Sequence, residues 1–153
     1  MNYSQQEIQD LTQMAKRMRL AALDMTLSTG QGGAHLGGGM SCMEILAVLY
    51  GKVMKFDVQN PLNKERDRFL PSKNHCVLAH LPALAEVGYI SQEELCEFQK
   101  NGGRLTSYPK RPEIGLEYAG GSLGMALALG IGIALSARQQ QKKNTIYVLL
   151  GDG

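Results

Sequence analysis

Thr145-Ile-Tyr-Val-Leu-Leu-Gly-Asp-Gly153 is the stretch that decides the fold. Its first six residues are β-branched, aromatic or aliphatic and are bounded by Asn144 and Gly151, the pattern of a buried strand. The run before it, from Gly121 to Gln140, is apolar on nearly every face, which predicts a helix sandwiched inside an α/β layer. A strand that delivers Gly151-Asp152-Gly153 at its carboxyl edge places a hard carboxylate where open α/β sheets bind ligands, and the glycines let a phosphate approach the backbone. A single Asp suits one vertex of an octahedral Mg²⁺ that also holds phosphate oxygens. An ordinary Asp-Gly turn after a strand is the plainer alternative.

Working back from that strand, the spacing marks three helix starts. Ser4-Gln-Gln-Glu7, Ser41-Cys-Met-Glu44 and Ser91-Gln-Glu-Glu94 each have the form of a capping box, flanked by apolar pairs suited to a staple: Tyr3 with Ile8, Met40 with Ile45, Ile90 with Leu95. The first helix continues through Leu11, Met14, Met18, Ala22 and Met25 and stops near residues 28–30. The second is predicted over residues 42–50, with Gly51 as its cap. A polar connection spans residues 55–68, and residues 78–87 read as a helix started or kinked by Pro82. Residues 101–117 read as a long structured loop.

Composition bounds the remaining possibilities. The chain has 153 residues, 44% hydrophobic and 20% charged, which argues for one folded domain. Sixteen basic against fourteen acidic residues leave +2, too little and too evenly spread for a nucleic-acid surface. No signal peptide is visible, and the apolar run 123–137 is short of the ~20 residues that span a bilayer, so no membrane association is expected. Cys42, Cys76 and Cys96 are widely spaced and lack a C-x-x-C pattern, which disfavours a disulfide framework or a zinc site and points to a reduced cytoplasm.

The eighteen glycines cluster around candidate chemistry. His35 lies in Gly32-Gly-Ala-His-Leu-Gly-Gly-Gly39, where the backbone can fold close to a ligand and an imidazole can serve as acid, base or hydrogen-bond donor near neutral pH. His75 ends Ser72-Lys-Asn-His75, also at a junction; for both, a structural histidine in a turn is the alternative. His80 is assigned to structure, because five residues of helix turn it well away from His75. Tyr118-Ala-Gly-Gly-Ser-Leu-Gly124 opens the apolar helix, and small residues at a helix N-terminus can hold an anion or simply permit close packing.

Taken in order, His35 with Ser41–Tyr50, Asp67-Arg-Phe-Leu-Pro-Ser-Lys-Asn-His75, Ala85-Glu-Val-Gly-Tyr89, Gly115–Gly124 and Tyr147–Gly153 resemble the N-terminal, pyrophosphate-binding half of transketolase. The resemblance runs along nearly the whole chain and is nearer to split or short transketolase-like subunits than to single-chain enzymes. It implies an incomplete three-layer α/β fold with helices around a mostly parallel sheet. It also implies thiamine diphosphate, Mg²⁺ and transfer of a two-carbon ketol unit between sugar phosphates. On motif matching, His35 and His75 would be catalytic and, with Tyr108, substrate-binding. Gly121, Leu123, Gly151, Asp152 and Gly153 would address the cofactor, with Asp152 on the metal.

Three departures shape the expectation. Tyr108-Pro109 stands where the family usually has His-Pro, so a phenol replaces an imidazole. Met125-Ala126 stands where Gln-Gly often follows Leu-Gly. The sequence closes at Gly153, at the start of the cofactor motif, so the pyrimidine-binding and C-terminal domains are expected on another polypeptide or another copy, and the isolated chain is expected to be inactive. A non-catalytic interaction module is the competing reading, and a relative of deoxyxylulose-phosphate synthase a further one.

Overall fold

A computed structural model describes residues 3–151; the expected cofactor and metal residues Asp152 and Gly153 lie outside the described residues. The first capping box forms as its sequence predicts. Ser4 Oγ accepts from the Glu7 N–H (3.2 Å) and Glu7 Oε2 accepts from the Ser4 N–H (2.9 Å), heading α1 (Gln5–Ser28). Its periodic face, Met14, Ala15, Met18, Ala22 and Met25, is buried against α3 (Met43–Val48) and α4 (Val77–Glu86).

The second box does not form. The glycine run coils into a short helix, α2 (Leu36–Met40), which leaves Ser41 in the turn that follows, where its hydroxyl accepts from Lys73 Nζ (2.7 Å). α3 then begins behind Cys42 without a side-chain cap. Packing dictates this, since a Cβ on Gly39 would lie 2.9 Å from Leu78 Cβ, so only glycine lets α2 rest on α4. Gly51 is likewise no cap. The chain continues through a π turn, Leu49–Val53, in which Gly51 is pressed against Leu11 and Met14. The third box makes both its bonds, Ser91 N–H to Glu94 Oε2 (3.0 Å) and Glu94 N–H to Ser91 Oγ (3.3 Å), but heads a single 3₁₀ stretch, Glu93–Glu97.

The sheet has two parallel strands among the described residues, β1 (Arg68–Pro71) and β2 (Ile146–Leu149), with Arg68 opposite Ile146 and Pro71 opposite Leu149. Period-two alternation divides their side chains. Phe69, Tyr147 and Leu149 face the core built by α1, α3 and α4, whereas Leu70, Ile146 and Val148 meet α5 (Met125–Gln139) at Gly130. The result is three layers, helices, sheet, helix. Buried Asp67 fastens the strands at their amino ends: its carboxylate accepts from the Lys55 N–H (2.9 Å) and the Thr145 N–H (2.7 Å).

One expectation fails in this layer. α5 is not enclosed, for only Ala126, Gly130 and Ala137 are buried, and Leu127 (45%), Ile131 (54%) and Leu135 (59%) remain exposed. An all-round apolar helix needs cover on both sides, and the sheet supplies one. The long loop is held at its far end by a buried charge cluster, in which Glu117 pairs with Arg66 and, at 2.8 Å, with Arg68.

Candidate functional site

The carboxyl edge of the sheet gathers the candidate residues. Ser72 follows β1; its N–H donates to Leu149 O (2.8 Å) and its carbonyl accepts from the Gly124 N–H (3.2 Å), so the end of β1, the end of β2 and the start of α5 meet at one point. Gly124 turns there with φ +82, a conformation that costs glycine little. Directly after β1, a 3₁₀ turn, Asn74–Cys76, presents His75, and buried Asn74 donates to the Tyr118 carbonyl (3.5 Å), tying that turn to the loop before α5.

His35 reaches the same place from α2, whose first turn it precedes. The α2 backbone is held against the His75 turn, since a Cβ on Gly38 would lie 3.1 Å from the His75 carbonyl, and Lys73 Nζ donates to Gly38 O (3.3 Å). The His35 and His75 rings stand edge to face with centroids 4.7 Å apart, and His75 meets Tyr108 in the same manner at 5.6 Å. Gly121 borders the cluster, for its Cβ position is 3.6 Å from the Tyr108 ring. The structure thus brings together His35, His75, Tyr108 and Gly121. Leu123 and Gly151 are exposed at the α5 and β2 ends of the same edge, without a described contact to the rings.

His80 belongs elsewhere. It is buried, hydrogen-bonded through Nε2 to the Tyr50 hydroxyl (2.7 Å), and burial pushes its pKa down to about 3, so it stays neutral in the core. A groove of about 850 Å³ also lies away from the histidines, between α5 and the loop, lined by Lys64, Arg68, Lys110 and Lys142 over Leu129 and Ile133. Chemistry favours the histidine edge over this hollow, because a pair of imidazoles can move protons.

Ser72, Lys73 and Asn74 are the site residues to which sequence reasoning gave no role. Their position next to His75 was the available clue. Ser72 Oγ is buried without a hydrogen-bond partner, at the edge where α5 begins. An orphaned hydroxyl there, open space above Gly124 and Gly151, and a cluster of rings fit a ligand with an anionic end and an aromatic body. No group of three or more His, Cys, Asp or Glu among the described residues is arranged to hold a metal.

Residues 11–153 match the transketolase N-terminal family, described as the thiamine diphosphate binding domain of transketolase. This chain belongs to the transketolase family. Among relatives, it is 34% identical over 97% of its length to an apulose-4-phosphate transketolase subunit from Phocaeicola vulgatus and covers 52% of that protein. It is 38% identical over 98% of its length to the 6-deoxy-6-sulfo-D-fructose transketolase subunit SqwG of a Clostridium species, covering 54% of it. The transketolase of Campylobacter jejuni superposes with a TM-score of 0.85 at 27% identity, over 100% of this chain and 24% of that one. The chain therefore spans about half the length of the curated subunits it matches, and its transketolase-type domain supports binding of thiamine diphosphate.

Proposed function

We propose that this chain forms the diphosphate side of a transketolase-type active site and works with a complementary subunit in two-carbon ketol transfer between sugar phosphates. The observation that carries the reading is the His35–His75 ring pair at 4.7 Å on the carboxyl edge of the sheet, beside the glycine turn at Gly121. The names of relatives as subunits support the need for a second polypeptide, as does the uncovered face of α5.

Thiamine diphosphate supplies the electron sink for carbon–carbon bond cleavage. The remaining roles fall to residues of this chain. His35 and His75 hold and move protons at their ring nitrogens and donate to substrate hydroxyls, while the Tyr108 hydroxyl donates a further hydrogen bond. Gly121, Leu123, Gly151 and Gly153 would line the diphosphate, and Asp152 would be the ligand this chain offers to Mg²⁺. One carboxylate supplies few of the ligands that Mg²⁺ takes, so further groups would have to come from outside this carboxylate. The compartment in this reading is the cytoplasm, which suits three free cysteines.

Reconstitution with the complementary subunit tests the reading. His35→Ala and His75→Ala are expected to lower kcat by roughly 10²–10⁴ with secondary structure unchanged. Near-wild-type turnover in His35→Ala would overturn it. The chain alone is expected to bind thiamine diphosphate weakly and to be inactive, and tight Mg²⁺-dependent binding by calorimetry would contradict that part.

A further inference from the structure

The groove beside α5 joins an apolar wall to a cationic rim, and the chemistry above gives it no role. Its wall on α5 carries Leu129 and Ile133, and its rim carries Lys64, Lys110 and Lys142. The carboxylate that lines it, Glu117, is already held by Arg66 and Arg68, so it neutralises none of the three lysines. No ion pair elsewhere among the described residues engages them either, and Lys142 Nζ donates only to the amide oxygen of Gln140 (2.6 Å). We propose that this groove is the docking site for an amphipathic helix of the complementary subunit, a helix with a leucine-type stripe flanked by carboxylates. The identity of the partner rests on the functional reading above; its chemistry rests on the groove.

Shape favours a helix as the occupant. Ala128, Gly132 and Ser136 follow one another at every fourth residue along the groove side of α5, and a Cβ on Gly132 would meet nothing within 4 Å. A row of small side chains at that spacing is a shallow groove between ridges, into which a second helix packs closely. In sequence these residues alternate with Leu127, Ile131 and Leu135, exposed farther round the same helix, so the apolar surface runs the length of α5, about 22 Å at 1.5 Å per residue. A small anion would fill the groove and leave that length wet, whereas a helix laid along α5 covers it.

Charge decides which helix. A second copy of this chain docked through the same face would set lysine against lysine, which is unfavourable in a contact that excludes water. Carboxylates on the partner neutralise the rim, and the apolar stripe between them takes the wall.

The test uses the full chain and synthetic helical peptides of about 18 residues, roughly five turns, labelled with fluorescein. The first has Leu at i, i+3, i+4 and i+7 flanked by Glu, the second flanks the same stripe with Lys, and the third keeps Glu but replaces Leu with Gln. Fluorescence anisotropy should show the first binding, more weakly as salt rises, and the other two binding at least ~10-fold less tightly. Hydrogen exchange should slow over α5 and stay unchanged over α1 when the first peptide is bound. Lys110→Glu, Lys142→Glu and Leu129→Glu are each expected to lower its affinity by about 10-fold, with far-UV circular dichroism unchanged, and the two lysine reversals together should bring in the second peptide. No binding of the first peptide, or binding indifferent to the lysine reversals, would overturn the proposal. Equal binding of the third would do so too, by making the groove a general anion surface. A dimer of this chain in sedimentation that Leu129→Glu abolishes would place a second copy there instead. No cofactor or turnover enters these measurements, so failure of the ketol-transfer reading would leave their outcome standing.

Discussion

Gly130 and Gly132 sit two residues apart in α5, and replacing each with alanine is expected to move stability in opposite directions. A Cβ on Gly132 meets nothing within 4 Å. Gly132→Ala therefore gains helix propensity alone, about 0.8–1 kcal/mol. A Cβ on Gly130 would lie 2.6 Å from Val148 Cγ2, with Leu70 Cδ1 at 3.5 Å and Ile146 Cγ2 at 3.8 Å closing off retreat. Val148 is β-branched and stiff at χ1, so it cannot swing aside, and overpacking costs about 1–3 kcal/mol. Gly130→Ala carries the same propensity gain and this larger penalty, so its net effect is a loss of up to about 2 kcal/mol. The two variants should differ by about 1–3 kcal/mol, roughly 2–12 °C in melting temperature at this chain length. Urea titration followed by far-UV circular dichroism measures both, and Val148→Ala added to Gly130→Ala should recover part of the loss. If Gly130→Ala matches Gly132→Ala in stability, α5 does not rest on the sheet through Gly130 and the three-layer packing is wrong.

Other outcomes follow from buried charge and close packing. Glu117→Gln removes the only acid of the Arg66–Glu117–Arg68 cluster and leaves Arg66, itself 5% exposed, without its counter-charge; a loss of about 3–5 kcal/mol is expected in denaturant titration. Gly39→Ala should lift α2 from α4, lowering stability by about 1–3 kcal/mol and separating His35 from His75, visible as shifted imidazole resonances by NMR. Acid should destabilise the fold through His80. Its pKa is about 3 when folded against 6.5 ordinarily, so between those values the unfolded chain binds a proton that the folded chain refuses. Stability from this residue is complete above pH 6.5 and falls by up to ~1.4 kcal/mol per pH unit below it, a slope that His80→Asn should reduce.

Much of this was readable from the residues because the relevant forces are local. The first capping box and the α1 face needed only spacing, and β2 needed only a β-branched run between breakers. Gly151-Asp152-Gly153 pointed to the carboxyl edge of the sheet, the edge at which the structure brings His35, His75 and Tyr108 together. β1 escaped notice because it is four residues long, opens with Arg68 and ends with Pro71, so little in it signals a strand except its place beside β2. The box at Ser41 failed because tertiary contact between Gly39 and Leu78 claimed the backbone first. His35 and His75 were legible as candidates, yet their 4.7 Å approach was not, since it depends on α2 docking onto a distant part of the chain. The exposure of α5 was also hidden, because an apolar helix reads the same whether its second side is covered by its own chain or left open.

The two-stranded sheet sets the order in which the molecule can be made. β1 and β2 pair in parallel across a separation of 78 residues, the same span bridged by the Asp67–Thr145 hydrogen bond. The helical core needs no such distant partner, since α1, α3 and α4 all precede residue 87 and share one apolar cluster. Loop-closure entropy therefore delays the sheet until the helices have condensed, and during synthesis β2 emerges after every other described element. The carboxyl edge, where Ser72 after β1 bonds to the end of β2, is completed only at that closing step. A kinetic trap that leaves β1 unpaired would show a folded helical core with no site attached to it.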